Sequence, residues 1–288
     1  MTDDSTGALA APRVKAVRPL RVVTRLCALL AWTVICYLAV CASLPVRVFS
    51  RPLVRKLHRW FAVRWACGVG AITGMRVQVH GRPPQKPCFL VSNHVVWTDG
   101  FAMIRFFDCT YVSMAEIQTM PIVRTIIRGL EPIFVYRKRE DTPRVVGLMV
   151  ETLKSGGSIF MCPEAIVSPG REIRRFRGAL LEAAVITGMP VYCATITYRT
   201  PDDCPPPSQC ILFGPDPYFR TPDGEIPESE LAVWGPERSI KRYLMRFLSV
   251  SSYTVVITFG EHPINGTDKF ELADALRDAV RARFTPVK

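Results

Sequence analysis

The sequence predicts an α/β fold: a mixed, largely parallel sheet flanked by helices, preceded by an N-terminal pair of membrane-associated helices. From about residue 75, short β-rich runs alternate with amphipathic segments of helical periodicity, as in sheets covered by helices. Before residue 75 there is a run of 21 consecutive residues without a charge. We divide the chain into a disordered basic tail (1–19), membrane-anchoring helices (20–70) and one main domain (71–288), since 288 residues can bury a large core.

The composition favours an anionic partner. The chain has 37 Lys and Arg against 25 Asp and Glu, a net charge of +12, which suits acidic lipids or a nucleic acid. The basic residues gather beside apolar runs and no nucleic-acid-binding module is recognisable, so we expect membrane lipids as partners and no nucleic acid. The ten cysteines are scattered, without a CxxC pair or zinc spacing. They predict reduced thiols in a cytosolic compartment and no metal site.

The uncharged run extends from Leu26 to Val46. As a helix it would be about 30 Å long, close to the thickness of a bilayer core. It begins too late for a typical signal peptide. The residues that flank it are basic on both sides: Arg13, Lys15, Arg18, Arg21 and Arg25 before it, and Arg47, Arg51, Arg55, Lys56, Arg59 and Arg64 after it.

Positive charge on both flanks conflicts with a simple span, because the positive-inside rule places the excess on one side. We therefore favour a helix pair that enters the membrane, with the second, Trp-bearing helix along its inner surface. A single true span is the alternative. Either arrangement places the protein at the membrane, with its active site on the cytoplasmic face.

Eight strands are predicted in the main domain, over 75–80, 88–92, 110–114, 132–136, 158–162, 191–198, 209–213 and 254–259. Helices are predicted near 100–107, 120–129, 142–154, 174–187, 236–248 and 269–284. Thr267 or Asp268 is the expected cap of the last helix. Residues 200–230 are rich in Pro and Asp and are expected to form a loop.

The segment 92–99 reads SNHVVWTD and joins a predicted strand to a predicted helix. On a continuous helix His94 and Asp99 would lie about 140° apart, so they can meet only if the turn between strand and helix folds back. A carboxylate on one imidazole nitrogen leaves the other free to take a proton from a hydroxyl. The pair would correspond to the histidine base and its orienting aspartate in a Ser-His-Asp catalytic triad, without the serine. The alternatives are a capping role for Asp99 and a structural role for His94.

Four motifs recur in order between residues 70 and 200. The first comprises Asn93, His94, Trp97 and Asp99. The second is an apolar strand followed by an arginine: Ile133, Phe134, Val135 and Arg137. The third is PEAIVSPGREIRRFRGA over 163–179, and the fourth is Met189, Pro190 and Val191. Together they resemble the glycerolipid (lysophospholipid) acyltransferase family, of the 1-acyl-sn-glycerol-3-phosphate acyltransferase type.

The resemblance implies direct transfer of a fatty acyl group from acyl-CoA or acyl-carrier protein to a free hydroxyl of a lysolipid, with no bound cofactor. It implies His94 as the catalytic base and Asp99 as its partner. The residues that it implies for substrate binding are Asn93, Trp97, Arg137, Glu164, Ser168 and Arg171. The family's third motif usually reads Glu-Gly-Thr-Arg-Ser, whereas this chain has Ala165 for the glycine and Val167 for the arginine. Val96 replaces a common serine, and Glu131 a common glycine.

In the family that missing arginine helps to bind the acceptor's phosphate, so the departures bear on the acceptor more than on the chemistry. A lysophosphatidate-like lysophospholipid is the first expectation. A lyso-ornithine lipid acceptor and a transacylase reaction between lipids are the alternatives. A different class of function, a non-catalytic membrane-binding protein with the same fold, also remains open at this point.

Overall fold

The computed structural model describes residues 18–136, 138–168, 170–212 and 240–287, without the side chains of Arg47 and Ile240. Its seven strands form one sheet in the order β1-β7-β6-β2-β5-β3-β4. Only β6 and β7 pair antiparallel among the described strands. The predicted mixed, largely parallel sheet is confirmed. The strands are β1 (Met75–His80), β2 (Phe89–Ser92), β3 (Thr110–Met114), β4 (Ile133–Val135), β5 (Ile159–Met161), β6 (Val191–Arg199) and β7 (Tyr253–Phe259).

Helices cover both faces of this sheet. In chain order they are α1 (Pro19–Ser43), α2 (Val46–Phe49), α3 (Arg51–Thr73), α4 (Asp99–Ile104), α5 (Pro121–Ile127), α6 (Thr142–Lys154), α7 (Glu182–Thr187), α8 (Pro207–Cys210), α9 (Ile240–Ser249) and α10 (Lys269–Arg281). Asp268 caps α10, since its carboxylate accepts from the amides of Phe270 and Glu271 at 2.7 and 3.0 Å. The predicted cap is thereby confirmed.

Strand β2 lies at the centre of the sheet, between β6 and β5, and all four of its residues are buried. Successive side chains of a strand point to opposite faces. Phe89 and Val91 therefore enter the core under α6, α7 and α10, while Leu90 enters the core on the α4 and α9 side. Because both faces are covered, β2 is a continuous apolar run rather than an alternating one.

The predicted strand over 209–213 is wrong. Residues 207–210 form the short helix α8 instead, and the amide of Ile211 donates to the carbonyl of Pro207 at 2.8 Å. Pro207 is the first residue of this helix, where a fixed φ suits helical geometry and the missing N–H costs nothing. The predicted helix over 174–187 begins later, at Glu182, after a 3₁₀ turn over 178–181. Of the predicted disordered tail over 1–19, residues 1–17 lie outside the described residues, while Pro19 already begins α1. Most of the 200–230 loop also lies outside the described residues.

Helices α1 and α3 form a hairpin. The indole of Trp32 donates to the carbonyl of Trp65 at 3.2 Å, and the indole of Trp65 donates to Thr33 at 3.1 Å. A Cβ on Gly68 would lie 2.0 Å from the Trp32 indole nitrogen, so the close approach of the helices requires glycine there. Helix α1 is long and apolar enough to cross a membrane, and little of it is buried.

The first turns of α1 are tied to the end of α9. Arg25 donates to the carbonyls of Leu248, Val250 and Ser251 at 3.0, 2.5 and 2.9 Å, and Arg21 donates to Ser249 at 2.9 Å. The last carbonyls of a helix lack partners within the helix, and these two guanidinium groups supply them. Two arginines of the N-terminal basic flank therefore have a structural role in fixing α1 to the main domain.

Replacing Arg25 by methionine should lower the free energy of unfolding by about 2–3 kcal/mol, because part-buried carbonyls lose a charged donor. Arg18→Met is a matched control, since Arg18 is exposed at the start of the same helix. Denaturant unfolding in detergent micelles measures both. An equal shift in the two variants would show that the contacts of Arg25 contribute nothing beyond its charge.

Candidate active site

The turn between β2 and α4 lies where parallel strands β2, β5 and β6 end. The carboxyl ends of these strands meet at one edge of the sheet, the usual position of binding crevices in open α/β sheets. Asn93 and His94 follow β2, and Glu164 follows β5. The sheet thus gathers side chains that lie about 70 residues apart in sequence.

The predicted contact between His94 and Asp99 is present, with 2.7 Å between Nδ1 and Oδ2. The same oxygen accepts from the amides of Val95 and Val96 at 2.7 and 3.1 Å. These two bonds fold the turn back, and they engage amides that precede α4. Asp99 is buried, whereas 27% of the His94 side chain is exposed. Nδ1 therefore faces the carboxylate, and Nε2 is the nitrogen left to take a proton.

Tyr198, at the end of β6, completes the surroundings of Asp99. Its hydroxyl donates to Asp99 Oδ1 at 2.5 Å and lies 2.9 Å from the hydroxyl of Thr98. Burial raises the pKa of Tyr198 well above its ordinary value, so the phenol stays a neutral donor. Tyr198 is not among the site residues that the sequence predicts. The only available signal was a polar tip at the end of a predicted apolar strand.

The loop that follows β5 holds the backbone of His94 from two sides. Glu164 Oε1 accepts from the amide of His94 at 2.9 Å, and the amide of Ser168 donates to the carbonyl of His94 at 2.6 Å. The other Glu164 oxygen accepts from the amide of Arg174 at 3.3 Å. Ser168 is fully buried and its hydroxyl accepts from Gly170 at 3.2 Å. Both predicted substrate ligands thus lie beneath the site surface, where they position His94.

Burial raises the pKa of Glu164 to about 7. A carboxyl with a raised pKa binds its proton more tightly in the folded chain, so its contribution to stability is full below pH 4.5 and is lost as the pH rises to about 7. Between pH 4.5 and about 7, the free energy of unfolding of the wild type should fall by up to about 3 kcal/mol more than that of Glu164→Gln. Urea unfolding at a series of pH values measures the difference, and parallel stability curves would contradict it.

Asn93 joins the end of β2 to β6. Its amide donates to the carbonyl of Ile196 at 2.8 Å and accepts from the Ile196 amide at 2.7 Å. The side chain is fully buried. It therefore replaces a backbone partner in the sheet and fixes the start of the His94 turn. Its predicted contact with substrate is not the role that this position favours.

Trp97 is 39% exposed and stands beside the rings of Phe101 and Phe247, at centroid distances of 5.6 and 5.4 Å. Its indole donates to the hydroxyl of Tyr243 at 2.7 Å. An apolar ring open to solvent, three residues from His94, suits contact with an acyl chain. Arg171 is exposed in the loop after β5. Arg137, the remaining predicted ligand, lies outside the described residues.

Two of the departures from the resembled family share one backbone feature. Ala165 has a φ of 62° and Glu131 a φ of 49°, and no other described residue except glycine has a positive φ. Both replace a glycine of the family motifs. Side chains are disfavoured in this region of φ, where glycine is not. The loops thus keep the conformation of the glycine-containing motifs at some cost in strain.

Replacing Ala165 by glycine should raise the free energy of unfolding by about 0.5–1 kcal/mol. Glycine relieves the backbone strain at positive φ, and this gain exceeds the cost of the greater conformational entropy that glycine gives the unfolded chain. Ala282→Gly is the control of opposite sign: Ala282 has a φ of −60° at the end of α10, so glycine there should destabilise. Thermal unfolding of both variants tests this. Destabilisation by both would show that Ala165 is unstrained.

The chain is similar in sequence to known acyltransferases. The model of the family described as Acyltransferase matches residues 76–197. A lyso-ornithine lipid O-acyltransferase of Pseudomonas aeruginosa is 27% identical over 231 residues, which cover 80% of this chain and 79% of that protein. A 1-acyl-sn-glycerol-3-phosphate acyltransferase of Neisseria meningitidis is 30% identical over 135 residues, covering 46% of this chain and 52% of that relative.

The fold is also that of a solved structure. The crystal structure of the 1-acyl-sn-glycerophosphate acyltransferase PlsC from Thermotoga maritima aligns with a TM-score of 0.58 and 19% identity, over 91% of this chain and 95% of that one. The chain is therefore similar to acyltransferases over residues 76–197, to a lyso-ornithine lipid O-acyltransferase over most of its length, and to PlsC in its fold.

Proposed function

We propose that the protein transfers a fatty acyl group from a thioester, acyl-CoA or acyl-carrier protein, to the free hydroxyl of a lysolipid at the membrane surface. The observation that carries the proposal is the contact of His94 Nδ1 with the buried carboxylate of Asp99, on an imidazole that is itself partly exposed. Such a pair is a general base that a hydroxyl can reach. A non-catalytic binding protein would not need it.

In the reaction, His94 Nε2 takes the proton of the acceptor hydroxyl as its oxygen attacks the thioester carbonyl. The tetrahedral intermediate collapses, the C–S bond breaks, and the imidazolium returns its proton to the thiolate. Asp99 holds the tautomer with hydrogen on Nδ1 and stabilises the imidazolium. General base catalysis supplies about 10²–10⁴-fold, and alignment of the two bound substrates supplies much of the rest.

The acceptor that we favour is a lyso-ornithine lipid. Val167 stands where the family has the arginine that helps to bind a phosphate, and the relative that aligns over 79% of its length is named for that lipid. Lysophosphatidate is the second candidate, because relatives named for it match about half of their length. The membrane location rests on α1, whose length and apolar surface suit a bilayer.

An acyl-transfer panel tests the proposal. Membranes with and without the protein are offered labelled acyl-CoA or acyl-carrier protein, each with lyso-ornithine lipid or lysophosphatidate. We expect labelled diacyl product with at least one donor, and faster with lyso-ornithine lipid. A labelled phospholipid, offered without any thioester, serves as a further donor. If the labelled product forms only from this donor, the protein is a transacylase instead. Equal label with and without the protein, for every pair, would remove the proposed function.

A further inference from the structure

A basic cavity of about 170 Å³ lies between α3 and the turn that follows α5. The elements that form this cavity are not those that form the His94 turn. Two stretches of chain some 70 residues apart line it: Arg55, Lys56 and Arg59 from α3, and Arg128 and Glu131 from the turn.

The cavity has a rigid floor. A Cβ on Gly129 would lie 2.2 Å from the carbonyl oxygen of His58, so the two backbones are in direct contact. Arg59 is fixed at the wall, since its guanidinium pairs with Asp108 and donates to the carbonyl of Cys109 at 3.3 Å. The cavity is therefore built by packing rather than by a chance meeting of long side chains.

The charges that line the cavity suit an anion. Lys56 and Arg128 have no ion-pair or hydrogen-bond partner in the described part of the chain. Arg55 pairs only loosely with Glu131, with 3.7 Å between Nε and Oε1, and both side chains are exposed. Burial lowers the pKa of His58, which stays neutral near pH 7, so the positive charge comes from lysine and arginine.

The surroundings of the cavity are apolar and exposed. Val48 and Phe49, at the tip of the helix hairpin, are 86% and 87% exposed. Leu53 and Trp60 lie three residues before and four after Lys56, on the same face of α3, and both are exposed. Apolar and aromatic side chains beside lysine and arginine are typical of a surface that lies at the bilayer interface.

We propose that this cavity binds the phosphate of an anionic membrane phospholipid, at a site separate from acyl transfer. Lys56 and Arg128 contact the phosphate, Arg55 and Arg59 add positive charge, and Leu53 and Trp60 lie among the acyl chains. The bound lipid fixes how the helix hairpin is seated in the membrane. This inference uses the membrane location but not the proposed chemistry, so a failure of either is visible in a separate assay.

The test is flotation of the full chain with phosphatidylcholine vesicles that contain phosphatidylglycerol. Removing both unpaired charges, in Lys56→Gln/Arg128→Gln, should weaken binding about 30-fold, from roughly a factor of five for each charge. The matched control is Arg82→Gln/Lys154→Gln, which removes two exposed charges elsewhere and should stay within about twofold. Glu131→Gln should tighten binding about threefold, since it releases Arg55.

A second set of vesicles contains a fatty acid in place of phosphatidylglycerol and has the same surface potential. Comparison of the two sets separates a phosphate site from a general charge effect. We expect the Lys56/Arg128 variant to lose clearly more affinity for the phosphatidylglycerol vesicles than for the carboxylate vesicles, where only the general charge effect acts. Equal losses on both vesicles, or equal losses in the control pair, would overturn the proposal. Protection of the lipid-free protein against thermal unfolding by inorganic phosphate, with equal vesicle binding by the wild type and the Lys56/Arg128 variant, would overturn it too and would indicate a site for a soluble anion.

Discussion

Replacement of His94 by alanine is expected to lower the rate of acyl transfer by about 10²–10⁴-fold, the contribution of a general base. Without the imidazole, water must take the proton of the acceptor hydroxyl. The fold should persist, because the ring is partly exposed and makes one hydrogen bond, to Asp99. Initial rates with labelled thioester and saturating lysolipid measure the effect, and thermal unfolding checks the fold.

His80→Ala is the matched control, since His80 is exposed at the end of β1. Its rate should equal that of the wild type. A loss of less than about tenfold in His94→Ala, well under the usual contribution of a base, would mean that another group takes the proton.

Replacement of Asp99 by asparagine should cost both activity and stability. Oδ2 accepts from His94 and from the amides of Val95 and Val96, and Oδ1 accepts from Tyr198. An asparagine has one acceptor oxygen, so an NH₂ group must face either Tyr198 or the three donors of the turn. We expect a rate lower by up to about 10⁴-fold, and by no more than in His94→Ala, because the aspartate acts through the imidazole. We also expect about 1–3 kcal/mol less stability.

Asp274→Asn, an exposed aspartate of α10, is the control for loss of a charge and should change neither quantity. Rates and denaturant unfolding of both variants provide the test. An Asp99→Asn protein that loses stability but keeps its rate would limit Asp99 to shaping the turn.

The mixed, largely parallel sheet with its flanking helices and the contact of His94 with Asp99 could be predicted from the sequence. Alternation of strand-like and helical periods predicts an α/β sheet. Five residues across a strand-to-helix turn can bring an imidazole and a carboxylate together only by a reversal of the chain. That reversal is present because Asp99 also binds the amides of Val95 and Val96. The local pattern and the tertiary contact agree here.

Features that depend on distant parts of the chain could not be predicted. Tyr198 reaches Asp99 from 99 positions away, through the pairing of β6 with β2. From the sequence, Arg25 is expected to flank a membrane helix, whereas in the structure it donates to a carbonyl at the end of α9. Ser168 and Asn93 have the hydroxyl and amide of substrate ligands, but both are buried with backbone partners. Burial of a polar side chain has no local signature in the sequence.

A double-mutant cycle on acyl transfer tests most directly whether His94 and Asp99 act as one catalytic unit. The rates of wild type, His94→Ala, Asp99→Asn and the double variant are measured with the same thioester and lysolipid. Because Asp99 acts through the imidazole, we expect the double variant to be no slower than His94→Ala alone. Losses that multiply, so that the double variant is slower by the product of the two single effects, would contradict a shared role.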